Sequence, residues 1–239
     1  KSKSLVSFDV QEIKINKIKR LRIDFITMNY SFRKKNKTVK YIIIHYTGML
    51  DFNSAYRKLN DSKSEVSCHY LISRKGKIYN LLCPKFKGWH AGISEWKNVK
   101  NLNDYSIGIE LENKGHENGY TNFTNSQYHK LKKLIRFLKF NLFIKDKDII
   151  FHSDIAPNRK KDPGEKFIIK KLGIERYNFH QRKNLSINGL LKLYGFSQNY
   201  IKFYKPDCIK AVKRSLNYKV INSSISKTFK IKFNNLLFK

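Results

Sequence analysis

Short apolar runs and one long amphipathic segment alternate along this chain of 239 residues. Three runs rich in β-branched residues, Val39–His45, Tyr105–Glu112 and Asp148–His152, have the length and composition of β-strands. The segment Thr124–Phe143 carries apolar residues at helical spacing and opens with Thr and Gln three positions apart, the spacing of a capping box. A shorter helix is predicted over Asn53–Leu59.

Two further patterns predict how the sheet is built. Val66–Ser73 and Lys77–Leu82 flank a basic three-residue turn that contains a glycine, and this pattern predicts a β-hairpin. In Tyr105–Glu112, Ile and Leu alternate with smaller or charged residues, so the apolar side chains face the core, and Gly108 and Glu110 share the opposite face. The order of elements predicts an α/β fold with a mixed central β-sheet flanked by helices.

The chain is predicted to have three parts. Residues 1–38 are basic and weakly patterned and are predicted to form an irregular N-terminal arm, whereas residues 39–176 contain the sheet. Residues 177–239 are predicted to form a small helical domain, with helical spacing in Ser186–Phe196 and Cys208–Leu216. No apolar run reaches the roughly 18 to 20 residues that a transmembrane helix requires.

The formal net charge is +32, which raises the question of a nucleic-acid partner. Lys, Asn and Ile are frequent throughout the chain, without a basic block or a nucleic-acid motif, so a general compositional bias explains the charge and no specific nucleic acid is expected. Such a surface still attracts polyanions, including cell-wall polymers and acidic lipid head groups. The three cysteines are an odd number without paired spacing, which argues against a disulfide framework and against a cysteine zinc site.

Candidate metal ligands stand where predicted strands end. His45 and His152 each end a predicted strand, and a proline-containing loop then leads to Asp162. A lone histidine in such a place is more often structural, but two strand ends and a returning loop can converge at one edge of a sheet. Two imidazoles and one carboxylate leave a zinc ion with an open position, which is typical of catalytic rather than structural sites.

Two more residues have the chemistry that such a site needs. Glu110 is a candidate general base, because Gly108 on the same strand face leaves room for water or substrate. Glu112 shares that face, and the pattern alone does not separate the two glutamates. Lys160, two residues before Asp162, is a candidate for stabilising an oxyanion, although in a chain with 50 Lys and Arg a basic residue here is also expected by chance.

Five motifs in one order identify a resemblance to a known family over residues 39–170. The chain resembles the zinc-dependent N-acetylmuramoyl-L-alanine amidases of type 2, which share a fold with peptidoglycan recognition proteins, and especially the envelope and anhydromuropeptide amidases of Gram-negative bacteria. The motifs are IIIHYT (residues 42–47), SCHYLISRKGKIY (67–79), WHAGIS (89–94), LNDYSIGIELEN (102–113) and HSDIAPNRKKDPG (152–164).

The resemblance implies a role for each residue in these motifs that could form the site. It implies that His45, His152 and Asp162 bind Zn²⁺, that Glu110 rather than Glu112 accepts and donates the proton, and that Lys160 stabilises the transition state. The implied substrate contacts are Tyr46 beside the metal, Trp89, His90 and Ala91 along the groove, and Arg159 facing a stem-peptide carboxylate. Where some relatives carry a tyrosine near the metal, this chain has Cys68.

The resemblance also implies an activity. The predicted reaction is hydrolysis of the amide between N-acetylmuramic acid, intact or in its 1,6-anhydro form, and L-alanine. Peptidoglycan or muropeptides are the predicted substrate. The predicted location is the cell envelope or periplasm, with the cytoplasm as the alternative. The alternative is a non-catalytic peptidoglycan-binding protein on the same fold. Residues 177–239 resemble the small three-helix peptidoglycan-binding module of envelope amidases, although Ser215 and Leu216 stand where that module has an aromatic residue. The oligomeric state is not predicted.

Overall fold

A five-stranded sheet forms the centre of the computed structural model, which describes residues 27–179 and 185–238. The strand order is β4-β3-β8-β2-β9, with β4 antiparallel to β3 and the other neighbours parallel. The strands are β1 Tyr30–Phe32, β2 Tyr41–Tyr46, β3 Tyr70–Ile72, β4 Ile78–Asn80, β5 Phe86–Gly88, β6 Glu95–Trp96, β7 Val99–Lys100, β8 Ser106–Leu111 and β9 Ile149–Phe151. The mixed α/β architecture predicted from the sequence is therefore confirmed.

Strand β2 lies between two parallel neighbours and is buried from Tyr41 to His45. A strand that is covered on both faces needs an unbroken apolar run, which explains why this segment shows no polar alternation. Ile42 and Ile44 pack in one apolar cluster, while Tyr41 and Ile43 pack in another on the opposite face. His45 follows the same alternation and falls on the face of Ile43.

Helix α2 (Asn125–Leu142) covers one face of the sheet. The predicted capping box is present, because the Thr124 hydroxyl accepts from the backbone N–H of Gln127 and the Gln127 amide oxygen accepts from the backbone N–H of Thr124. The buried stripe of the helix packs against the apolar face of β8, and the prediction of an inward-facing apolar side for that strand is confirmed.

Helix α1 (Phe52–Asn60) and the β3–β4 hairpin also agree with the predictions, although the two hairpin strands are shorter than the apolar runs suggested. The N-terminal region differs. Residues 1–26 of the predicted arm lie outside the described residues, and within residues 27–38 the chain forms β1, which pairs antiparallel with β5. A three-residue strand that depends on a distant partner leaves too short a pattern to detect in the sequence.

Three helices follow the sheet: α4 (Ile187–Tyr194), α5 (Gln198–Ser215) and α6 (Lys227–Leu237). The helices predicted in Ser186–Phe196 and Cys208–Leu216 are confirmed, and α5 begins earlier than predicted. It bends at Tyr204, two residues before Pro206, because proline cannot donate a helical hydrogen bond. The buried side chains of these helices share one apolar cluster with β2 and β9, on the face opposite α2. The boundary between residues 176 and 177 stays a prediction.

A buried polar network joins the helical region to the sheet. Asp154 lies in the short helix α3 (His152–Ile155), and its carboxylate accepts from the Arg176 guanidinium and, at 2.7 Å, from the Tyr194 hydroxyl. The Tyr194 hydroxyl in turn lies 2.7 Å from Ser215 Oγ. Asp154 is fully buried, so its charge depends on these partners.

Replacing Arg176 by Met is expected to destabilise the protein by about 3–5 kcal/mol, because it leaves the Asp154 carboxylate buried without its counter-ion. Urea unfolding followed by circular dichroism measures this change. Lys161→Met is the matched control: it breaks the exposed Lys161–Glu117 pair, and solvent screening of that pair should leave the free energy of unfolding nearly unchanged. Equal effects of the two variants would contradict the expectation.

The described residues include no helix with both the length and the apolar character needed to cross a bilayer.

Candidate metal site and pocket

The carboxyl ends of two neighbouring parallel strands place two histidines side by side. In the register of β2 and β9, Ile44 pairs with Phe151. The residues that follow these two along the chain, His45 and His152, therefore lie next to each other. Both imidazoles are buried, and their Nδ1 atoms are 2.9 Å apart. Burial, reinforced by His152, lowers the pKa of His45 to about 4, so this ring is neutral at neutral pH, as a metal ligand must be.

Asp162 reaches the same place from the loop that follows α3. The backbone N–H of Ser153 donates to the Asp162 carbonyl at 2.9 Å, which ties the returning loop to the start of the helix. Asp162 Oδ2 lies 3.0 Å from Nδ1 of His45 and 3.0 Å from Nδ1 of His152. Burial alone would raise the pKa of the Asp162 carboxyl, but the two imidazoles hold that pKa well below its usual value.

The three side chains form a donor set that fits a metal ion. Two imidazole nitrogens and one carboxylate oxygen face one another within a buried cluster, and all three residues are buried. Neutral imidazole together with an ionised carboxylate is a combination that suits divalent transition metals. The structure thus brings together the three residues that the sequence singled out as ligands, in an arrangement that could hold such an ion.

Glu110 lies beside this cluster because of strand register. It pairs directly with His45 across β2 and β8, and its Oε2 atom is buried without a hydrogen-bond partner among the described residues. Burial, with a smaller effect from Asp162, raises the pKa of Glu110 to about 8. Glu112 differs: its carboxylate accepts from the backbone N–H of Arg74 at 2.6 Å and so supports the β3–β4 turn.

A cavity of about 350 Å³ opens at this edge of the sheet. Its wall includes Glu110, His152, Asp162 and Lys160. Lys160 is half-buried, and its ammonium group has no ion-pair partner among the described residues. The positive charge acts on Glu110, whose pKa it lowers against the effect of burial. The cavity therefore combines a carboxylate that can exchange protons, a cation and the candidate metal ligands.

The residues predicted to bind substrate lie in different surroundings. Tyr46 and Trp89 line the cavity, and each makes a further contact: the Tyr46 hydroxyl lies 2.8 Å from His116 Nδ1, and the Trp89 indole N–H donates to Ser31 Oγ at 2.8 Å. Ala91 is fully buried. Substrate binding by these residues stays a prediction.

Arg159 also lines the cavity, but its guanidinium donates to the backbone carbonyls of Ala91 and Ile93, both at 2.6 Å. The predicted contact with a stem-peptide carboxylate stays a prediction, and the described contacts show that the Arg159 side chain already braces the loop after Ala91.

His90 occupies the space that Gly108 leaves. A Cβ atom built on Gly108 would lie 2.4 Å from the His90 ring, so the room expected there for water or substrate is filled by this imidazole. His90 Nδ1 lies 3.1 Å from His45 Nε2. Burial, with the nearby His45 as the next cause, lowers the pKa of His90 well below its usual value.

Sequence reasoning missed the residues that support this site. Ser106 and Asn103 hold His90, and His116 links the Tyr46 hydroxyl to Glu165 through its second nitrogen at 3.1 Å. Ser106 begins β8, and Asn103 and His116 lie outside the strands of the sheet; none of the three stands in a recognisable spacing. Their positions follow only from the way in which the loops fold back on the sheet.

Comparison with known proteins assigns the chain to a family. The profile of the N-acetylmuramoyl-L-alanine amidase family matches residues 35–165, which is more than half of the chain. The N-acetylmuramoyl-L-alanine amidase AmiD of Escherichia coli (strain K12) is 37% identical over 166 residues, which cover 63% of this chain and 59% of AmiD. The 1,6-anhydro-N-acetylmuramyl-L-alanine amidase AmpD of Haemophilus influenzae is 38% identical over 104 residues, which cover 43% of this chain and 54% of AmpD.

Superposition on a solved structure agrees with this family assignment. The structure of Escherichia coli AmiD in complex with the substrate anhydro-N-acetylmuramic acid-L-Ala-D-gamma-Glu-L-Lys superposes with a TM-score of 0.70 at 30% identity, covering 83% of this chain and 88% of that one. The chain spans between half and two thirds of the length of the two curated relatives it matches. The matched region contains the whole candidate metal site and its neighbouring glutamate and lysine, and this protein belongs to the N-acetylmuramoyl-L-alanine amidase family.

Proposed function

We propose that this protein is a zinc-dependent N-acetylmuramoyl-L-alanine amidase. The observation that carries the proposal is the buried cluster of His45, His152 and Asp162 at the wall of a cavity that also holds Glu110 and Lys160. The substrate is a muropeptide or peptidoglycan strand, and the bond cleaved is the amide between N-acetylmuramic acid and L-alanine. The proposed substrates include those with the 1,6-anhydro form of N-acetylmuramic acid, since the similar AmiD is described with an anhydromuropeptide substrate.

His45, His152 and Asp162 would hold the zinc ion. When bound, zinc supplies Lewis acidity toward the substrate carbonyl and toward water. The protein residues account for the proton transfers. Glu110 accepts a proton from the attacking water, a step for which a raised pKa is suitable because it lets the same carboxyl return the proton to the departing nitrogen of L-alanine.

Lys160 stabilises the negative charge that develops on the amide oxygen. Its half-buried ammonium group lies on the cavity wall, where a cation interacts more strongly than in bulk water. Tyr46 and Trp89 line the same cavity and are proposed to contact the sugar or the stem peptide. The proposed location of the reaction is the cell envelope or periplasm, where peptidoglycan is found.

Mass spectrometry of purified muropeptides tests the proposed activity. The zinc-loaded protein is incubated separately with 1,6-anhydro and with reduced muropeptides, and both reactions are repeated after removal of metal with a chelator. Release of intact stem peptide that stops on chelation and returns with added zinc is the expected result. Absence of release from both substrates at full zinc occupancy would overturn the proposal and favour a peptidoglycan-binding role.

A Lys160→Met variant is expected to move the acidic limb of the kcat/KM profile to higher pH. Glu110 works only when deprotonated, so activity is lost as the pH falls through its pKa; Lys160 lowers that pKa, and its removal raises it. The activity at the optimum should also fall by about 10²- to 10³-fold through the loss of oxyanion stabilisation. Profiles of kcat/KM against pH measure both effects.

Lys139→Met is the control for this prediction, because Lys139 pairs with Asp146 and lies on α2, on the far side of the sheet from the cavity. Its profile should match that of the unmodified protein. An acidic limb that stays in place or moves to lower pH in Lys160→Met would contradict the assigned role of Lys160.

A further inference from the structure

We propose that His90 is a positioning residue that keeps the metal-facing nitrogen of His45 free of a proton. The inference rests on the metal site of the proposed function. It gives His90, which was expected to line a substrate groove, a role toward the metal ligands, and it extends to the neighbouring carbonyl of Ala91.

A chain of hydrogen bonds determines where the protons lie. The Ser106 hydroxyl donates to the Leu102 carbonyl at 2.6 Å, so its single proton is already used. Ser106 Oγ can then only accept from His90 Nε2, which lies at 3.4 Å, and this places the His90 proton on Nε2. His90 Nδ1 is left as an acceptor, 3.1 Å from His45 Nε2, which must carry a proton to donate to it. The lone pair of His45 is therefore on Nδ1, the nitrogen that faces Asp162.

The His90 ring is held in this orientation by its surroundings. It lies against the Cα of Gly108, at a place that any Cβ would occupy. Its backbone N–H and that of Ala91 both donate to the side-chain oxygen of Asn103, at 3.1 and 2.8 Å. The ring is buried, and a rotation that exchanged its two nitrogens would break the bonds to both Ser106 and His45.

The backbone carbonyl of Ala91, the residue after His90, orients the second histidine ligand, His152. The Ala91 carbonyl lies 3.2 Å from His152 Nε2, so it accepts the proton on that nitrogen and leaves Nδ1 of His152 to face the cluster. The Arg159 guanidinium donates to the same carbonyl at 2.6 Å and fixes its position. His90 through its side chain and Ala91 through its backbone thus orient the two imidazole ligands. Metal sites select the tautomer of a histidine ligand through such hydrogen bonds to its second nitrogen.

Two substitutions at position 90 separate this role from simple packing. His90→Phe keeps a ring of similar shape but removes the acceptor, whereas His90→Asn loses the ring but places an amide oxygen near the position of Nδ1. Zinc affinity is measured by competition with a chelator of known strength. We expect His90→Phe to bind zinc about 10- to 100-fold more weakly and His90→Asn to stay within about threefold of the unmodified protein. A packing role predicts the opposite order, because Phe fills the space and Asn does not.

The positions of the imidazole protons can be measured directly on the unmodified protein. Long-range ¹H–¹⁵N correlation spectra of the zinc-loaded, ¹⁵N-labelled protein should show the His90 proton on Nε2 and the His45 proton on Nε2. A proton on Nδ1 of His90 would overturn the inference, as would wild-type zinc affinity in His90→Phe or equal losses in both variants. If the unmodified protein binds no zinc, the metal site of the proposed function and this inference fail together; if it binds zinc but the tautomer differs, only the inference fails.

Discussion

Glu110→Gln is expected to lower kcat/KM for muropeptide hydrolysis by about 10²- to 10⁴-fold and to leave the zinc content unchanged. The amide has the shape of the carboxylate but cannot accept a proton from water. Glu110 lies outside the three-residue donor cluster, so metal binding should survive. Rates of stem-peptide release by mass spectrometry, together with zinc stoichiometry by elemental analysis, measure the two properties on the same samples.

The matched control is Glu112→Gln, two residues farther along the chain and just past the end of β8. The Glu112 carboxylate accepts from the backbone of Arg74, so this variant should lose a little stability and keep its activity. If Glu112→Gln were the inactive variant, or if Glu110→Gln kept wild-type rates, the assignment of the base would be wrong. Loss of zinc from Glu110→Gln would show instead that this residue contributes to the metal site.

His152→Ala is expected to abolish both zinc binding and activity. It leaves two of the three donors, and zinc affinity should fall by more than the roughly 100-fold that loss of an outer partner can cause. The effect is measurable without catalysis. A metal at 100 times its Kd stabilises the native protein by about 2.7 kcal/mol, so added zinc should raise the Tm of the unmodified protein and not that of the variant.

His129 offers the control for this substitution, because it is exposed on α2 and lies on the far side of the sheet from the cluster. His129→Ala should keep the zinc-dependent rise in Tm and the hydrolytic rate. A zinc-dependent rise that persisted in His152→Ala would mean that the ion binds elsewhere, and the three-residue cluster would no longer explain the activity.

The site owes its place to parallel strand pairing. In a parallel sheet, the carboxyl ends of neighbouring strands meet at one edge, and residues at equal register lie side by side. Strand β8 brings Glu110 level with His45, and β9 brings His152 to the other side. Asp162 is added by a loop held to α3 through one backbone hydrogen bond. The proposed base and the first proposed ligand thus come from adjacent strands, and the second proposed ligand is the residue that follows β9.

The local patterns of the sequence determined the elements that this arrangement uses. The capping box at Thr124, the β-branched run that ends in His45 and the alternation that leads to Glu110 act over a few neighbouring residues, through backbone hydrogen bonding and side-chain burial. These rules need no knowledge of the rest of the chain. The strands, the long helix and the residues with metal-binding chemistry could therefore be predicted, and the five motifs placed them in a known family.

Only the tertiary structure decided what surrounds those residues. Apart from the family resemblance, the separation of Glu110 from Glu112 rests on the contact of Glu112 with Arg74. The surroundings of Gly108 depend on His90, which arrives from a different loop. The packing of the C-terminal helices on the sheet likewise depends on distant partners, such as the burial of Arg176 against Asp154. A pattern of neighbours along the chain carries no information on such contacts, because they arise between segments that meet only when the chain has folded.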